Sequence, residues 1–133
     1  MRLWHIDLIP FLPKSQLLAQ WRELNSIFKK QDKHILINYV YEQPKELYIY
    51  TKKVIEEMQK RNYKIKSLDN FKRYFAGKEI IILNSSAKFK EHDKDYLTIC
   101  YYNLMEKCLR GQKDFTLETW IKIDDFYKKE KQK

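Results

Sequence analysis

Apolar residues recur at intervals of three and four along much of this chain, and this is the period of an amphipathic α-helix. The first such stretch follows Pro10 and Pro13 and predicts a helix from about Lys14 to Lys30. Prolines disfavour helical backbone in the residues just before them, so the helix should start no earlier. Its predicted buried stripe consists of Leu17, Leu18, Trp21, Leu24 and Phe28.

Two more helical patterns occur before residue 76. Pro44 suits the first turn of a second helix, because that position needs no backbone N–H. The basic stretch "KRNYKIK" ends this helix, and Ser67 is placed to cap a short third helix that runs through Phe75. The predicted inner face of the second helix consists of Leu47, Thr51, Val54, Ile55 and Met58.

The second half of the chain predicts two further helices. A long one runs from about His92 to Arg110, and Gly111 follows it in the position where helices commonly end. Thr116 is expected to cap a last helix, which dissolves into the charged run "KKEKQK". The apolar residues of this last helix are Leu117, Trp120 and Ile121.

Other stretches lack a helical period. The first ten residues are predicted to be extended. The run "ILINYVY" at 35–41 is β-branched and aromatic, which favours a short strand, with a buried helical turn as the alternative. Gly77 is followed by the apolar run "EIIIL". Since no linker or repeat interrupts residues 1–133, we predict a mostly α, compact single-domain irregular helical bundle with an extended N-terminal segment.

Composition suggests a class of partner. Lys and Arg number 27 against 18 Asp and Glu, a net charge of +9, and there are ten Tyr, seven Phe and three Trp. This combination favours nucleic acid over a membrane surface, and the alternative is a basic protein with no polyanionic partner. No apolar run approaches the ~20 residues that span a bilayer, and the start of the chain lacks the pattern of a signal peptide.

The two cysteines indicate in which cellular compartment the protein is expected. Cys100 and Cys108 fall on the same predicted helix, about 12 Å apart along its axis, which is beyond the reach of a disulfide. A chain without disulfides is typical of the cell interior. We therefore expect a monomer in the cytoplasm, associated with the nucleoid.

Familiar catalytic motifs do not occur in the sequence. It has no Gly-rich phosphate loop and no nucleophile elbow. His5, His34 and His92 lie far apart with no cysteine at ligand spacing, so we expect no metal site. The acidic run "EHDKD" at 91–95 lacks the glycine of a calcium loop and fits the start of a helix better. We expect no organic cofactor either.

Arg22 and Glu23 stand out, because no oppositely charged residue lies three or four positions away on their predicted helix. The simplest interpretation is two solvated surface charges. The position of these two residues near the start of the chain suggests a second interpretation. An α-amine has a pKa near ~8, against ~10.4 for lysine, so it supplies more neutral nucleophile at physiological pH. A carboxylate beside such an amine could stabilise a cationic sugar transition state and then accept a proton.

These residues lie in a pattern that resembles the pyrimidine-dimer DNA glycosylase and abasic-site lyase family, of the phage endonuclease V type. The resemblance begins with the N-terminal Met-Arg and continues with Leu17, Leu18 and Ala19 followed by Arg22, Glu23 and Leu24. It extends to "KRNYKI" at 60–65, and to "EHDKDYL" and "NLMEK" in the predicted long helix. It covers most of the chain and is strongest over residues 1–65.

The resemblance implies a mechanism and a substrate. The Met1 amine would attack C1′ of the damaged nucleoside, and Glu23 would assist the β-elimination that cuts the strand. Arg2, Arg22 and Lys107 match basic positions that contact the DNA backbone, and such contacts position a site without reading sequence. The implied partner is double-stranded DNA that carries a damaged or abasic site, with cyclobutane pyrimidine dimers as the expected lesion.

The chain also departs from that family. Met1 should be retained, because Arg2 is too large for its usual removal. Gln16 stands where the phage member has histidine, and Ser26 and Asn103 stand where it has arginines. The missing phosphate contacts would then be made by Lys29, Lys30, Arg61 or Lys64. Two alternatives remain: a non-catalytic DNA- or RNA-binding protein of the same fold, and an N-terminal-amine enzyme that acts on another aldehyde.

Overall fold

The computed structural model describes residues 2–80 and 87–133, and the regular structure within those ranges is entirely helical. The predicted mostly α fold is confirmed. Short 3₁₀ helices span Ile6–Phe11 and Asn38–Glu42. The α-helices are α1 (Lys14–Lys30), α2 (Pro44–Lys60), α3 (Asp69–Phe75), α4 (Lys94–Leu109) and α5 (Leu117–Lys131).

Helices α1 and α2 form where the apolar period predicts them. α1 begins directly after Pro13 and ends at Gln31, whose left-handed backbone (φ 52°) stops the helix. Pro44 occupies the first turn of α2, and the predicted inner face of α2 is buried throughout. Leu18 and Trp21 are half-buried, and the fully buried members of the α1 stripe are Leu17, Leu24 and Phe28.

The N-terminal segment differs from its prediction. Residues 2–5 have no regular structure, but residues 6–11, expected to be largely extended, form a 3₁₀ helix with Pro10 inside it. The ring of Pro10 is tolerated because a 3₁₀ helix this short needs few N–H donors. The imidazole of His5 caps the helix by accepting the Asp7 N–H at 3.1 Å through Nδ1. Local polar contacts thus override the extended preference.

The strand predicted for "ILINYVY" is wrong, and the helical alternative is correct. Residues 35–37 form a turn that leads into the 3₁₀ helix Asn38–Glu42. The turn is closed by the Ile37 N–H, which donates to the His34 carbonyl at 2.9 Å. Only Ile37 and Val40 of this stretch are fully buried, because a 3₁₀ turn sends β-branched residues to several faces.

Polar caps define the ends of the later helices. Ser67 accepts the Asp69 N–H at 3.0 Å, one position earlier than a regular N-cap of α3. Asp93 caps α4 by accepting the Tyr96 N–H, and Thr116 caps α5 as predicted. Gly111 follows α4 with φ +83°, the left-handed conformation that favours glycine after a helix. Residues 81–83 of the run "EIIIL" lie outside the described residues.

The last helix is longer than its prediction. α5 continues through the lysine-rich run to Lys131 instead of dissolving there. Its buried residues are Ile123 and Tyr127, whereas Leu117 and Ile121 are exposed. Basic side chains in the last turn suit the negative end of the helix dipole, which favours the extra turns.

The core lies between α1, α2, α4 and α5, and the N-terminal segment runs through it. Cys100 is buried, Cys108 is half-buried, and both are free thiols, in line with the predicted absence of a disulfide. None of the helices in the described ranges combines the length and apolar character that a bilayer crossing needs. The buried residues of the N-terminal segment are Leu3, Trp4, His5, Ile6, Leu8, Ile9 and Leu12.

His92 ties this segment to the core. Its Nδ1 accepts the Ile6 N–H at 3.1 Å, so the ring proton belongs on Nε2, which lies 2.7 Å from the Tyr39 hydroxyl. The ring also stacks between His5 and Tyr96, with centroids 5.4 and 5.0 Å away. Burial lowers the pKa of His92 to about 3, because the charged form would lose its water.

This pKa predicts an acid-dependent loss of stability. The unfolded chain takes up the His92 proton near pH 6.5 and the folded chain only near pH 3, so the unfolded state binds more protons between these values. Stability should therefore fall as the pH falls, by about 3 kcal/mol from pH 7 to pH 4 for this residue alone. Urea unfolding of the native protein and of His92→Gln at the two pH values measures the difference.

The exposed histidine provides the control. His34→Gln should keep the native pH dependence, whereas His92→Gln should flatten it, since glutamine can accept the Ile6 N–H without titrating. Equal pH dependence in the native protein and His92→Gln would contradict the assignment.

Candidate active site

Three of the residues singled out from the sequence meet in one cleft beside α1, which we call the α1 cleft. Arg2 comes from the N-terminal segment, Glu23 from α1 and Lys107 from the last turns of α4. The α1 residues that face it are spaced by three and four positions and so share one side of the helix. The cleft holds about 280 Å³ and is lined by Arg2, Trp4, Gln16, Ala19, Gln20, Glu23, Asn103 and Lys107.

Glu23 is the acidic residue of the α1 cleft. Its side chain is half-buried, and its Oε1 atom is fully buried without a hydrogen-bond partner in the part of the chain that the structure describes. Burial raises the pKa of this carboxyl, although the charge of His34 acts in the opposite direction. A carboxylate that lacks hydrogen-bond donors and sits in a partly dry cleft is a stronger base than one in water.

The main chain of residues 2–4 is bound by side chains at the edge of this cleft. Gln20 is buried, and its Oε1 accepts the Trp4 N–H at 2.7 Å. Its Nε2 donates to the Arg2 carbonyl at 3.4 Å. The Tyr50 hydroxyl lies 2.7 Å from the Trp4 carbonyl and 2.9 Å from the Gln20 Oε1 atom. One helix face therefore carries both Glu23 and a polar anchor for the N-terminal segment.

Tyr96 of α4 binds the other side of the same segment. Its hydroxyl donates to the carbonyl of Leu3, and the Leu3 side chain is completely buried. The Arg2 guanidinium lies over the Tyr96 ring, 5.9 Å from its centroid, within the range of a cation–π contact. Arg2 is thus directed toward the α1 cleft by an aromatic face.

Gln16 closes one end of the cleft. Its carboxamide exchanges two hydrogen bonds with that of Gln112, at 2.9 and 2.7 Å, which joins the start of α1 to the loop after α4. Asp114 strengthens this junction by accepting the Ser15 N–H at 2.7 Å. Asn103, also in the cleft, donates to the Ile99 carbonyl of its own helix at 2.8 Å.

The other predicted basic residues are not in the α1 cleft. Arg22 and Lys64 line a neighbouring groove of about 550 Å³ that also contains Trp21 and Lys66. Because both cations are exposed, they are free of the core and can meet a ligand from solvent. Met1, the predicted nucleophile, lies outside the described residues.

Arg61 has a different environment. Its guanidinium donates to Glu57 at 2.7 Å, to the Leu12 carbonyl at 2.7 Å and to the Pro10 carbonyl at 3.1 Å. These bonds join the end of α2 to the segment before α1. Its fork of donors is therefore engaged within the protein, and the fit is one that lysine could not reproduce.

A larger cavity of about 570 Å³ lies elsewhere, between the first 3₁₀ helix and α2. Residues of α5 also line it, and its charged lining mixes the acidic Asp7, Glu56, Glu57 and Glu130 with Lys53 and Lys60. Neither of the predicted catalytic residues, Met1 and Glu23, is among its lining residues. We therefore identify the site by its chemistry and not by its size: the α1 cleft is lined by the cations Arg2 and Lys107 and by Glu23, whose buried Oε1 has no hydrogen-bond partner among the described residues.

Several residues of the site were missed at the level of the sequence. Trp4, Gln20, Tyr50 and Tyr96 all reach the α1 cleft or its N-terminal edge. The one available signal was Gln20, a polar residue three positions after Leu17 and four before Leu24. Such a residue on an apolar face must find a hydrogen-bond partner, and that partner is the N-terminal main chain.

Comparison with known proteins gives one match. A family model described as pyrimidine dimer DNA glycosylase matches residues 1–71, which is more than half of the 133 residues. The matched range contains Gln20, Glu23 and Tyr50, whereas Tyr96 and Lys107 lie beyond it. Neither the curated proteins nor the solved structures contain a match to this chain.

Proposed function

Since the chain belongs to the pyrimidine dimer DNA glycosylase family, we propose that it excises a damaged pyrimidine from duplex DNA and then cuts the strand as an abasic-site lyase. The observation that carries the proposal is the α1 cleft, which is lined by Glu23, Arg2 and Lys107, and in which the buried Oε1 of Glu23 has no hydrogen-bond partner among the described residues. A half-buried base beside cations suits a sugar–phosphate substrate, whose reaction develops positive charge next to a phosphate anion.

The first chemical step forms a covalent intermediate. The neutral amine of Met1 attacks C1′ of the damaged nucleoside, and the bond from C1′ to the base breaks as the base leaves with the electron pair. The ionised Glu23 carboxylate stabilises the positive charge that develops on the sugar. The departing base takes up the proton that the amine loses as the C1′–N bond forms. The bond from C1′ to the ring oxygen O4′ then breaks, O4′ takes a proton from solvent, and the enzyme and C1′ are joined by a protonated Schiff base.

The second step cuts the strand. Glu23 removes a proton from C2′, the electron pair forms a double bond to C3′, and the 3′ phosphate leaves. The raised pKa of Glu23 makes its carboxylate a better base for this proton than an exposed carboxylate. Hydrolysis of the Schiff base then frees the enzyme. No step requires a metal or an organic cofactor.

The basic residues that we assign to DNA binding have two roles. Arg2 and Lys107 line the α1 cleft and would hold the phosphates that flank the reacting sugar, whereas Arg22 and Lys64 would hold the backbone farther along the neighbouring groove. We assign no DNA contact to Arg61, because its N–H donors are hydrogen-bonded within the protein. Access to C1′ requires the damaged nucleotide to leave the stack.

Lesion, domain and location complete the proposal. The lesion is a cyclobutane pyrimidine dimer, in keeping with the family, which is that of pyrimidine dimer DNA glycosylases. One domain of residues 1–133, acting as a monomer, would carry the activity in the cytoplasm, where the nucleoid lies.

Borohydride trapping tests the covalent step. Reduction of the Schiff base should join the untagged protein permanently to duplex DNA that contains one abasic site. A protein that carries one extra residue before Met1 should trap far less, because its Met1 amine has become an amide, while its DNA affinity stays close to normal. Denaturing gels and a binding titration on the same DNA measure both quantities. A protein that only binds DNA would shift it without an adduct, and equal trapping by the extended protein would identify a lysine as the nucleophile.

Glu23→Gln separates the two steps. The variant keeps the size of the side chain and loses the base, so it should still form a trappable adduct with abasic DNA but cleave the strand about 10²–10⁴-fold more slowly. Single-turnover cleavage and trapping on one abasic duplex give the two rates. Cleavage at the native rate would remove Glu23 from the mechanism.

Salt dependence tests the division of the cations. Each phosphate contact contributes about −0.9 to the slope of log affinity against log salt, so Arg22→Ala should reduce the magnitude of that slope by roughly one. Arg61→Ala, which makes the same change in net charge, should leave the slope unchanged and lower the free energy of unfolding by about 1.5–3 kcal/mol instead. Equal slopes for the two variants would show that Arg22 contributes only to net charge.

A further inference from the structure

Two buried polar side chains contact the main chain of residues 2–4 and have no direct place in the chemistry above. Gln20 and Tyr50 are 2% and 0% exposed, and both are fully surrounded by the core. Burial of a carboxamide and a phenol is unfavourable unless each is hydrogen-bonded, and here the partners are backbone groups of Arg2 and Trp4. An apolar side chain would fill the same space without needing hydrogen-bond partners. The two polar side chains are therefore expected to have a role beyond packing.

The carboxamide of Gln20 makes two hydrogen bonds to the N-terminal main chain of the kind that a neighbouring β-strand would make. Its carboxamide donates to the carbonyl of Arg2 and accepts the N–H of Trp4, so it binds the two backbone groups on either side of Leu3. A neighbouring strand would satisfy an extended segment in the same way. Tyr50 adds a bond to the Trp4 carbonyl, and burial raises the pKa of its hydroxyl, which keeps the proton in place for donation.

We propose that Gln20 and Tyr50 are positioning residues that hold the N-terminal main chain at a fixed distance from Glu23, so that the amine of residue 1 meets the sugar carbon. This inference rests on the proposed function. Gln20 and Glu23 are one turn apart on α1, a rise of about 4.5 Å along the axis. The N-terminal segment, which bears the nucleophilic amine, and Glu23, the general base of the second step, are thus both fixed to α1.

The expected contribution is large, because attack on C1′ depends on the approach of the amine. A misplacement of about 1 Å can reduce the rate of such a step 10²-fold. Among the described residues, neither side chain is hydrogen-bonded to Glu23 or to the charged groups of Arg2 and Lys107, and at Arg2 the Gln20 carboxamide bonds only the main-chain carbonyl. Their loss should therefore reduce the rate of covalent attack and leave DNA affinity nearly unchanged.

The test compares three variants of the untagged full chain. Gln20→Met keeps the length of the side chain and removes its polar atoms, and Tyr50→Phe removes one hydroxyl. Thr51→Val is the matched control: Thr51 is equally buried in α2, but its hydroxyl donates to the Leu47 carbonyl at 2.8 Å, within the same helix. For each protein we would measure the trapping rate at saturating abasic duplex, the Kd for that DNA, the unfolding midpoint, and hydrogen exchange at the Trp4 amide.

Gln20→Met and Tyr50→Phe should trap at least about 10-fold more slowly at saturation, with Kd within about two-fold of native. Exchange at the Trp4 amide should accelerate in Gln20→Met, whereas Thr51→Val should lose stability alone. A purely structural role would lower the unfolding midpoint without changing the saturated rate.

Two results would overturn the inference in different ways. Native trapping rates in Gln20→Met and Tyr50→Phe would remove the positioning role and leave the proposed function intact. A native protein that forms no adduct at all would overturn the proposed function, and the positioning role with it. Should Gln20→Met fail to fold, the milder Tyr50→Phe decides, because it removes only a single hydroxyl and leaves the ring in the core.

Discussion

The fold depends on how the backbone of residues 2–6 satisfies its hydrogen bonds. This segment passes through the core with no regular structure before Ile6, and every buried N–H and C=O must still find a partner. Side chains from three helices and one turn supply them: Gln20 from α1, Tyr50 from α2, Tyr96 from α4, and His92 from the turn before α4. The packing of these helices is therefore set around one segment, and the same segment forms the edge of the α1 cleft.

The parts of the fold that were predictable are those governed by local sequence. α1 and α2 have an apolar face, a proline at the start and a residue that ends the helix, and these signals act over a few positions. The extended backbone predicted for residues 6–11 and the strand predicted for 35–41 were wrong, because their 3₁₀ turns depend on hydrogen bonds that the apolar pattern does not report. Some of these bonds are local, to the imidazoles of His5 and His34, and others are long-range, from Ile6 and Tyr39 to His92. Together they overrode the β propensity of these stretches.

The candidate site, like the fold, has a part that the sequence predicts and a part that it does not. Glu23, Arg2 and Lys107 were selected by a resemblance, and the structure brings them together in one cleft. Arg61 was named as a replacement for the phosphate contacts that the departures at positions 26 and 103 remove, and in the structure its guanidinium is bonded to Glu57, Leu12 and Pro10. Sequence reports the charge of a residue and not the direction of its side chain. The partners of Gln20 likewise appear only when residues 2–4 and α1 are seen together.

The separation in sequence between the N-terminal segment and its partners has a consequence during synthesis. Ile6 binds His92, 86 residues later, and Leu3 binds Tyr96, 93 residues later. A ribosome adds about 5–20 residues per second, so residues 2–6 wait roughly 4–19 s for those partners to be made. Until then their backbone groups are solvated or paired elsewhere. The edge of the cleft is therefore synthesised long before it can reach its final structure.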